Sequence, residues 1–473
     1  MKSPLRAIPI VPLAAVQQEA RLQVRATTGV FNRWRWAMAW LTQLVFYGTP
    51  WLTLHGRQAV LFDLQGDRFY LWGAVLFPQD LIYLAGLLVL CAWLLFFATA
   101  VAGRVWCGFA CPQTVYTALF MRIEHWCEGD RQARLRLDKA PWGARKLARR
   151  GGRHALWLAL SLWTGFTFVG YFTPIRELVT ALPLGLGPWE AFWVLFYGLL
   201  TYGNAGFLRE KVCLHMCPYG RFQGALMDPD TLHVAYDRQR GEPRTARPRG
   251  TDPAQRGGGA CVNCTLCVQV CPTGIDIRDG LQAACIACGL CIDACNRVMD
   301  QLRAPRGLIR MASARELALP AGQRPGWRGR LGRRRVWVYA GLLLLGSGFM
   351  ALSFAERSTL RLNAMRDRSV LARQVEQGAV ENVYRLRVMN AQERERELRV
   401  EVDGLPGAGL SSPALLRVPA AAALEQTITV RLGQAQATEH AGGILPLRLR
   451  VREANPTRAG DSAETATTFV VPR

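Results

Sequence analysis

Eight cysteines between Cys261 and Cys295 carry the clearest chemical signal in the chain. They form two runs with the same C-x2-C-x2-C-x3-C spacing. A 4Fe-4S cubane needs four thiolates, and in tandem runs of this kind the fourth cysteine of each run binds the other cluster. The spacing therefore predicts one cluster on Cys261, Cys264, Cys267 and Cys295, and a second on Cys285, Cys288, Cys291 and Cys271.

Structural zinc is the alternative for these cysteines, because zinc also binds C-x2-C pairs. Two complete iron-sulfur runs in tandem favour iron. Pro272 follows the first run as the iron-sulfur pattern has it, whereas Asn296 stands where the second run would have its proline. This departure leaves the ligands intact, so the sequence predicts a protein that transfers single electrons.

Four more cysteines form two C-x3-C-P motifs. Proline is favoured in the first turn of a helix and disfavours helix in the residue before it. Short amphipathic stretches follow at 113–126 and 219–227, so the second cysteine of each motif is predicted at a helix N-terminus, which favours a thiolate. Thiolates suit Cu(I). The candidate catalytic and copper-binding residues are therefore Cys107, Cys111, Cys213 and Cys217.

The remaining candidates are weaker. His215 and Met216 lie inside the second motif and could add ligands, but an ordinary interfacial histidine is equally consistent, because the first motif lacks both. Cys91 lies inside an apolar segment and is interpreted as a small packing residue. Cys127 has no counterpart in the second half, and its role stays open.

Five charge-poor apolar segments have about the 20-residue length that crosses a bilayer core. They are residues 36–54, 81–103, 155–173, 191–208 and 336–355. Residues 104–153 carry eleven Arg plus Lys against four acids, and residues 303–335 carry ten Arg against one Glu. The positive-inside rule places these segments in the cytoplasm, and the need of thiolates for a reducing compartment gives the same orientation. We expect a multi-pass membrane protein with its cysteine-rich loops in the cytoplasm.

The formal charge of +23 also raises the question of nucleic acid. Only +3 of it lies from residue 355 onward, where 17 Arg stand against 14 Asp plus Glu, and +20 lies in the first 354 residues with the apolar segments. This distribution favours membrane topology, and no nucleic-acid partner is expected. The chain does not open with the pattern of a cleaved signal peptide.

The predicted fold class is a membrane protein with five transmembrane α-helices, a two-cluster α+β ferredoxin segment and a C-terminal β-sandwich. Period-two patterns at 382–388, 398–402, 427–432, 445–451 and 467–471 indicate the sandwich, whereas 356–378 looks partly helical. Because it lacks cysteine, the predicted sandwich is interpreted as a docking or stability module.

The predicted domains are 1–35, a cytoplasmic N-terminal segment; 36–227, four membrane helices resembling an internal duplication; 228–260, a linker; 261–300, the ferredoxin domain; 301–335, a basic linker; 336–355, the fifth helix; and 356–473, the outer, periplasmic domain.

The sequence resembles the CcoG family, also called FixG or RdxA, of cytochrome c oxidase accessory proteins. The resemblance covers nearly the whole chain and rests on Gly103-Arg104-Val105-Trp106-Cys107-Gly108, Cys111-Pro112-Gln113-Thr114-Val115, Cys217-Pro218-Tyr219-Gly220-Arg221-Phe222-Gln223, Arg240-Gly241-Glu242-Pro243-Arg244, Arg366-Asp367-Arg368 and Glu381-Asn382-Val383-Tyr384. It implies a membrane polyferredoxin that reduces Cu(II) to Cu(I) for assembly of a cbb3-type oxidase. It also implies an Ig-like C-terminal domain, and as partners membrane lipid, a copper chaperone or transporter, oxidase assembly factors and an unknown electron donor.

Three functions are compatible with these residues. The leading hypothesis is an oxidoreductase in which two clusters pass electrons to Cu(II) held by the four motif thiols. One alternative is a polyferredoxin of the quinol dehydrogenase type, which would take its electrons from quinol. The other is a non-enzymatic scaffold that binds copper. A quinol site would need an ionisable group among the helices, and the apolar cores of the five segments offer none, which favours the copper reductase.

Overall fold

The computed structural model describes residues 23–182, 185–246, 258–319, 332–367, 372–375, 378–454 and 462–473. Parts of five predicted segments lie outside these ranges: 1–22 of the N-terminal segment, 183–184 of the four-helix membrane domain, 247–257 of the linker, 320–331 of the basic linker, and 368–371, 376–377 and 455–461 of the outer domain. Arg368 of the family motif does so too. The chain divides into two compact units: Met1–Thr49, Val89–Val169 and Val179–Leu344 in the first, and Pro50–Leu88, Gly170–Leu178 and Leu345–Arg473 in the second.

Helices occur along much of the described chain, and all but the last lie before residue 356. They are α1 (Val30–Gly48), α2 (Leu81–Ala102), α3 (Val105–Phe109), α4 (Pro112–Glu128), α5 (Arg131–Lys139), α6 (Ala144–Val169), α7 (Ile175–Ala181), α8 (Pro188–Gly203), α9 (Pro218–Leu226), α10 (Arg238–Gly241), α11 (Leu266–Gln269), α12 (Leu290–Gln301), α13 (Ala314–Ala318), α14 (Arg334–Ala355) and α15 (Gln434–Glu439). Two π-helical turns, Asn204–Leu208 and Val212–Met216, connect α8 to α9.

Three helices in the described part of the chain are long and apolar enough to cross a membrane. They are Pro78–Ala102, Pro188–Leu208 and Arg334–Ala355, with mean hydropathies of 2.6, 1.2 and 1.8. The other two predicted crossings coincide with α1 and α6, which begin earlier than predicted and include basic residues in their first turns. The three apolar helices indicate association with a membrane, and crossing by α1 and α6 stays a prediction.

The cysteine-rich segment folds between two short paired strands. Strand β6 (His233–Tyr236) pairs antiparallel with β7 (Ile309–Ala312), so the two ends of the segment meet. Arg310 Nη1 on β7 lies 2.9 Å from Asp237 Oδ2 at the end of β6. Both strands lie in segments predicted to be linkers, so the folded domain is wider than the predicted 261–300. Four-residue strands carry too little periodicity to mark these ends in the sequence.

The second unit contains a β-sandwich. One antiparallel sheet has the order β12-β14-β10-β8, with β9 also pairing β10, and the other has the order β13-β11-β15-β16. Side chains such as Tyr384, Leu398 and Leu449 fill the core between the sheets and are fully buried. The strands are β8 (Leu360–Arg366), β9 (Arg373–Gln374), β10 (Val380–Asn390), β11 (Arg396–Asp403), β12 (Ala408–Leu410), β13 (Leu415–Val418), β14 (Ala422–Leu432), β15 (Ile444–Glu453) and β16 (Ser462–Val470).

Two features of this unit differ from the predictions. Residues 360–366, predicted to be partly helical, form β8, because pairing with β10 outweighs the helical propensity of Leu, Arg, Ala and Met. Residues 53–76, which the predictions divided between the end of the first crossing (36–54) and the segment that connects it to the second, contain β1 (Thr53–Leu54), β2 (Arg57–Gln58), β3 (Val60–Asp63), β4 (Arg68–Leu71) and β5 (Ala74–Leu76). Within the unit, Tyr70 and Val75 of this segment pack in one apolar cluster with Met389 and Ala421 of the sandwich.

Candidate iron-sulfur and thiol site

The first predicted set of cluster ligands surrounds one cavity. Its lining includes all four thiols of the set, together with apolar side chains such as Val298 and Leu308. The thiols come from the loop at 261–264, from α11 and from α12. The structure therefore brings together the residues whose spacing predicted a shared cluster: Cys261, Cys264, Cys267 and Cys295.

The second set surrounds a neighbouring cavity. That cavity is lined by Cys271, Cys285, Cys288 and Cys291, and Cys267 borders both cavities. Each run thus gives three cysteines to one cavity and its last cysteine to the other. This is the exchange expected for two-cluster ferredoxin loops.

The two loops share an unusual backbone conformation. In the first loop, Asn263 and Thr265, on either side of Cys264, have φ values of 53° and 56°. At the equivalent positions of the second loop, Ala287 and Gly289 flank Cys288 with φ values of 54° and 73°. Left-handed residues other than glycine cost about 1–2 kcal/mol each. Both loops make this turn despite its cost. The turn curls each loop around its cavity, as a cubane would require.

The donor chemistry also fits iron-sulfur clusters. Burial raises the pKa of the Cys285 and Cys295 thiols to about 12, so four thiolates in such a cavity need a cationic centre. No three Cys, His, Asp or Glu side chains among the described residues converge as they would around a single ion. The exchange of the last cysteine of each run between two adjacent cavities favours clusters over structural zinc, because each thiolate of a cubane binds a different iron.

The first helix docks on the ferredoxin segment through its N-terminus. Asp293 of α12 accepts hydrogen bonds from the backbone N–H groups of Phe31 (3.2 Å) and Asn32 (2.8 Å). The α1 N-cap residue, Gly29, provides no side-chain cap of its own. At Gly289 a Cβ would lie 2.3 Å from the Phe31 ring, so only glycine permits this approach. The carboxylate of α12 thus satisfies two of the free donors that start α1.

Arg35 of α1 is buried beside the second cluster cavity. Its side chain is 7% exposed, and Nη2 has no hydrogen-bond partner among the described residues. It lies close enough to Cys288 and Cys271 for their charges to interact. Burial raises the pKa of Cys288, and the Arg35 charge opposes that rise. Sequence reasoning missed Arg35; its spacing of four from the other buried residues of α1, Ala39 and Gln43, was the available signal.

The two C-x3-C-P motifs have the predicted helix starts. Cys111 and Cys217 are the N-cap residues of α4 and α9, and a proline follows each as the first helical residue. The two motifs differ upstream. Cys107 lies on the α-helical turn α3, whereas Cys213 lies in a π-helical turn. The two halves therefore share the Cys-Pro helix start but not the backbone geometry of the turn before it.

The four motif thiols lie close enough for their charges to interact, although no three of them converge as they would around a single ion in the described residues. Burial raises the pKa of Cys107 to about 12, and the nearby Cys111 and Cys213 charges add to the rise. Burial likewise raises the pKa of Cys213 to about 11, with Cys111 and Cys217 adding to it. The Cys107 thiol donates to Oε1 of Gln223 at 3.5 Å. Gln223 is fully buried, and its Nε2 has no partner in the described part of the chain.

The thiol group lies directly against the second cluster loop. Cys107 packs in one apolar cluster with Ile286, Cys288 and Cys291. Arg104 ties the elements together, because its guanidinium donates to the carbonyls of Cys285 (3.3 Å) and Gly220 (2.8 Å). One side chain thus holds the second cluster loop and the start of α9 against the first motif.

The weaker candidates lie apart from these contacts or contribute to packing. Met216 is 61% exposed and His215 is also exposed. Cys127 packs beside Phe120 and Trp157, as a structural cysteine would. Cys91 is exposed on α2 rather than packed inside the protein.

Comparison with known proteins shows the same arrangement of domains. Residues 208–314 match a family model described as a 4Fe-4S dicluster domain, and residues 84–134 match one described as a 4Fe-4S binding domain. Residues 350–472 match the Ig-like fold at the C-terminus of FixG. Protein RdxA of Cereibacter sphaeroides is 39% identical over 459 residues, covering 94% of this chain and 96% of RdxA. The chain belongs to the FixG/RdxA family.

Two further relatives show how far the similarity extends. Nitrogen fixation protein FixG of Rhizobium meliloti is 36% identical over 426 residues, covering 83% of this chain and 81% of FixG. The methylamine utilization ferredoxin-type protein MauN of Paracoccus denitrificans is 28% identical over 181 residues, which is 37% of this chain and 50% of MauN. This FixG/RdxA-family member is thus an iron-sulfur electron-transfer protein with an Ig-like C-terminal domain.

Proposed function

We propose that this FixG/RdxA-family protein reduces Cu(II) to Cu(I) at the four motif thiols, for assembly of a cbb3-type cytochrome c oxidase. The observation that carries the proposal is the packing of Cys107 against Ile286 and Cys288 of the second cluster loop. Electron transfer to a bound metal requires this proximity. Copper is the substrate here, and the clusters are the resident cofactors.

The cofactors and side chains at the site have different roles in the proposed reaction. When bound, the two clusters supply single electrons. Cys107, Cys111, Cys213 and Cys217 provide thiolates, which stabilise Cu(I) because soft ligands prefer it. Arg104 holds the two motifs and the second loop in register through backbone carbonyls. The buried amide of Gln223 lies beside Cys107 and orients that thiol.

The order of electron transfer within the protein follows from the exposure of the cluster ligands, and we infer it as part of the same proposal. Cys264 of the first set is exposed to solvent, whereas Cys288 of the second is buried against the first motif. Electrons would enter at the first cavity and leave from the second. In the proposed orientation, the ferredoxin domain and the four motif thiols lie on the cytoplasmic side of the bacterial inner membrane, and the Ig-like domain lies in the periplasm.

The test is anaerobic Cu(II) reduction by the purified, pre-reduced protein, comparing the parent with the double variant Cys111→Ser and Cys217→Ser. The variant should retain its iron, because neither residue belongs to the cluster sets, and lose most Cu(I) binding and Cu(II)-driven reoxidation. Cys91→Ser, at an exposed position on α2, is the matched control. Reoxidation of the double variant at the parental rate would exclude the thiols as the copper site. A passive scaffold would lose binding alone, and a quinol dehydrogenase would show no copper dependence.

A second candidate for the four thiols is a further iron-sulfur centre. It is favoured by one specific observation: the 4Fe-4S binding family model covers residues 84–134, which include Cys107 and Cys111. Four cysteines are a sufficient ligand set for a cubane. Iron analysis separates the two candidates, because two clusters give about eight iron per chain and three give about twelve. The same double variant would lose about four iron only if a third cluster is present.

A further inference from the structure

A cationic cavity is lined by Arg35, which also lies near Cys288 of the second cluster loop. Its volume is about 120 Å³, and Gly108 and Leu290, which adjoin the second cluster ligands, form part of its wall. Four arginines and one histidine line it, and no Asp or Glu is among the described residues of the lining. The basic residues are Arg25, Arg35, Arg122, Arg134 and His125.

Not all of the hydrogen-bond donors of these residues have a partner within the described protein. Arg134 is paired with Glu124, with Nη1 3.2 Å from Oε2. Arg35 has no such partner for Nη2 although it is more than nine-tenths buried, and Arg122 stacks on Trp126 with its guanidinium 5.6 Å from the ring centroid. A buried donor that lacks an acceptor is costly. The cavity therefore has the charge and the hydrogen-bonding capacity to take an anion.

An apolar groove continues from this cavity. The groove has a volume of about 740 Å³ and shares Asn32, Trp36 and Arg122 with the cavity as common walls. One face of α1 runs along it from Asn32 to Tyr47, a distance of about 22 Å at 1.5 Å per residue. The opposite walls are apolar residues of α4 and α6, such as Leu119 and Leu156. A groove of this length accommodates an extended acyl chain.

We propose that the cavity and the groove together bind one anionic phospholipid, with its phosphate against Arg35 and Arg122 and one acyl chain along α1. Basic pockets between membrane helices are known to bind lipid headgroups. The combination of an acid-free cationic cavity with a contiguous apolar groove selects an amphiphilic anion over a neutral one. The site rests on the membrane association of the chain and is independent of copper chemistry, so the two proposals can fail separately.

Native mass spectrometry of the delipidated, cluster-loaded full chain tests the site. Phosphatidylglycerol should bind as one tightly held molecule per chain, at least tenfold more tightly than phosphatidylcholine. The double variant Arg35→Met and Arg122→Gln should lose this preference. Arg136→Gln, at an exposed arginine of α5 outside the cavity, should retain it. Equal binding of the two lipids, or equal loss in Arg136→Gln, would overturn the proposal.

The apolar part of the site needs a variant that leaves every charge in place. Ala159 of α6 lines the groove and is exposed, so Ala159→Trp should fill the groove without disturbing the protein interior. This variant should bind phosphatidylglycerol at least tenfold more weakly while keeping its iron-sulfur absorbance. Unchanged phosphatidylglycerol affinity in Ala159→Trp would overturn the proposal. So would inorganic phosphate that binds the cavity as well as the lipid does, or a quinone that copurifies in equal amount with the chain in place of the lipid.

Discussion

Gly108 of the first thiol motif lies in direct contact with the backbone of Cys288 in the second cluster loop. A Cβ at position 108 would be 3.0 Å from Cys288 Cα and 2.8 Å from the carbonyl oxygen of Ile286. The absence of a side chain therefore sets how closely the thiol motif approaches the second cluster loop. Backbone atoms cannot move aside as a flexible side chain would.

Replacing this glycine should separate the thiols from the cluster loop. Gly108→Ala should cost about 1–3 kcal/mol of docking, as overpacking typically does. We expect unchanged iron content, slower reoxidation of the reduced clusters by Cu(II), and faster amide hydrogen exchange at residues 285–291. Gly224→Ala on α9 is the matched control, because nothing lies within 4 Å of its Cβ position. Equal behaviour of the two variants would show that the contact has no part in transfer.

Removing the buried charge of Arg35 should change the second cluster and not the first. Reduction adds a negative charge to a cluster, and a nearby cation stabilises it. Arg35→Met should therefore lower the midpoint potential of the second cluster by on the order of 60 mV, a tenfold change in its reduction equilibrium. Redox titration followed by electron paramagnetic resonance measures both clusters in one sample. Arg33→Met, at an exposed arginine on the same helix, should leave both potentials unchanged.

The ferredoxin segment should lose stability in mild acid because of His233. This residue is 9% exposed on β6, and burial lowers its pKa below the ordinary value. As pH falls through about 6.5, the unfolded chain binds a proton that folded His233 does not accept until a lower pH. The stability contributed by the neutral ring is therefore fully present above about pH 6.5 and declines as the pH falls toward the lower pKa of folded His233.

Anaerobic heating at pH 7.5 and at pH 5.5, followed by loss of iron-sulfur absorbance, measures this effect. His233→Gln should shrink the difference between the two melting temperatures. His440→Gln, at an exposed histidine of the C-terminal domain, should keep the parental difference. An undiminished pH effect in His233→Gln would assign the sensitivity to other groups.

The parts of the site that could be predicted were those encoded by local spacing. The order of cysteines between 261 and 295 gave two ligand sets, and the structure gathers each around its own cavity. Proline after Cys111 and Cys217 gave the starts of α4 and α9, which are confirmed. In both cases the physical constraint acts within a few residues of chain.

The unpredicted parts depend on contacts between distant segments. Arg35 looked like the end of a polar lead-in, and only the packing of α1 on α12 makes it a buried charge beside Cys288. Strand β8 has the composition of a helix and becomes a strand through its register with β10. The strands at 60–76 did carry a signal, since aromatic and β-branched runs there alternate with turns at Gly66 and Gly73.

The capping of α1 by Asp293 has a consequence for biogenesis. The cap comes from a residue 262 positions further along the chain than Phe31. A ribosome therefore releases the first helix long before its cap exists, and the cap can form only after α12 has been synthesised and folded. Folding of the cysteine-rich segment thus completes the N-terminus of α1, so a chain that fails to fold this segment should leave the first turn of α1 frayed.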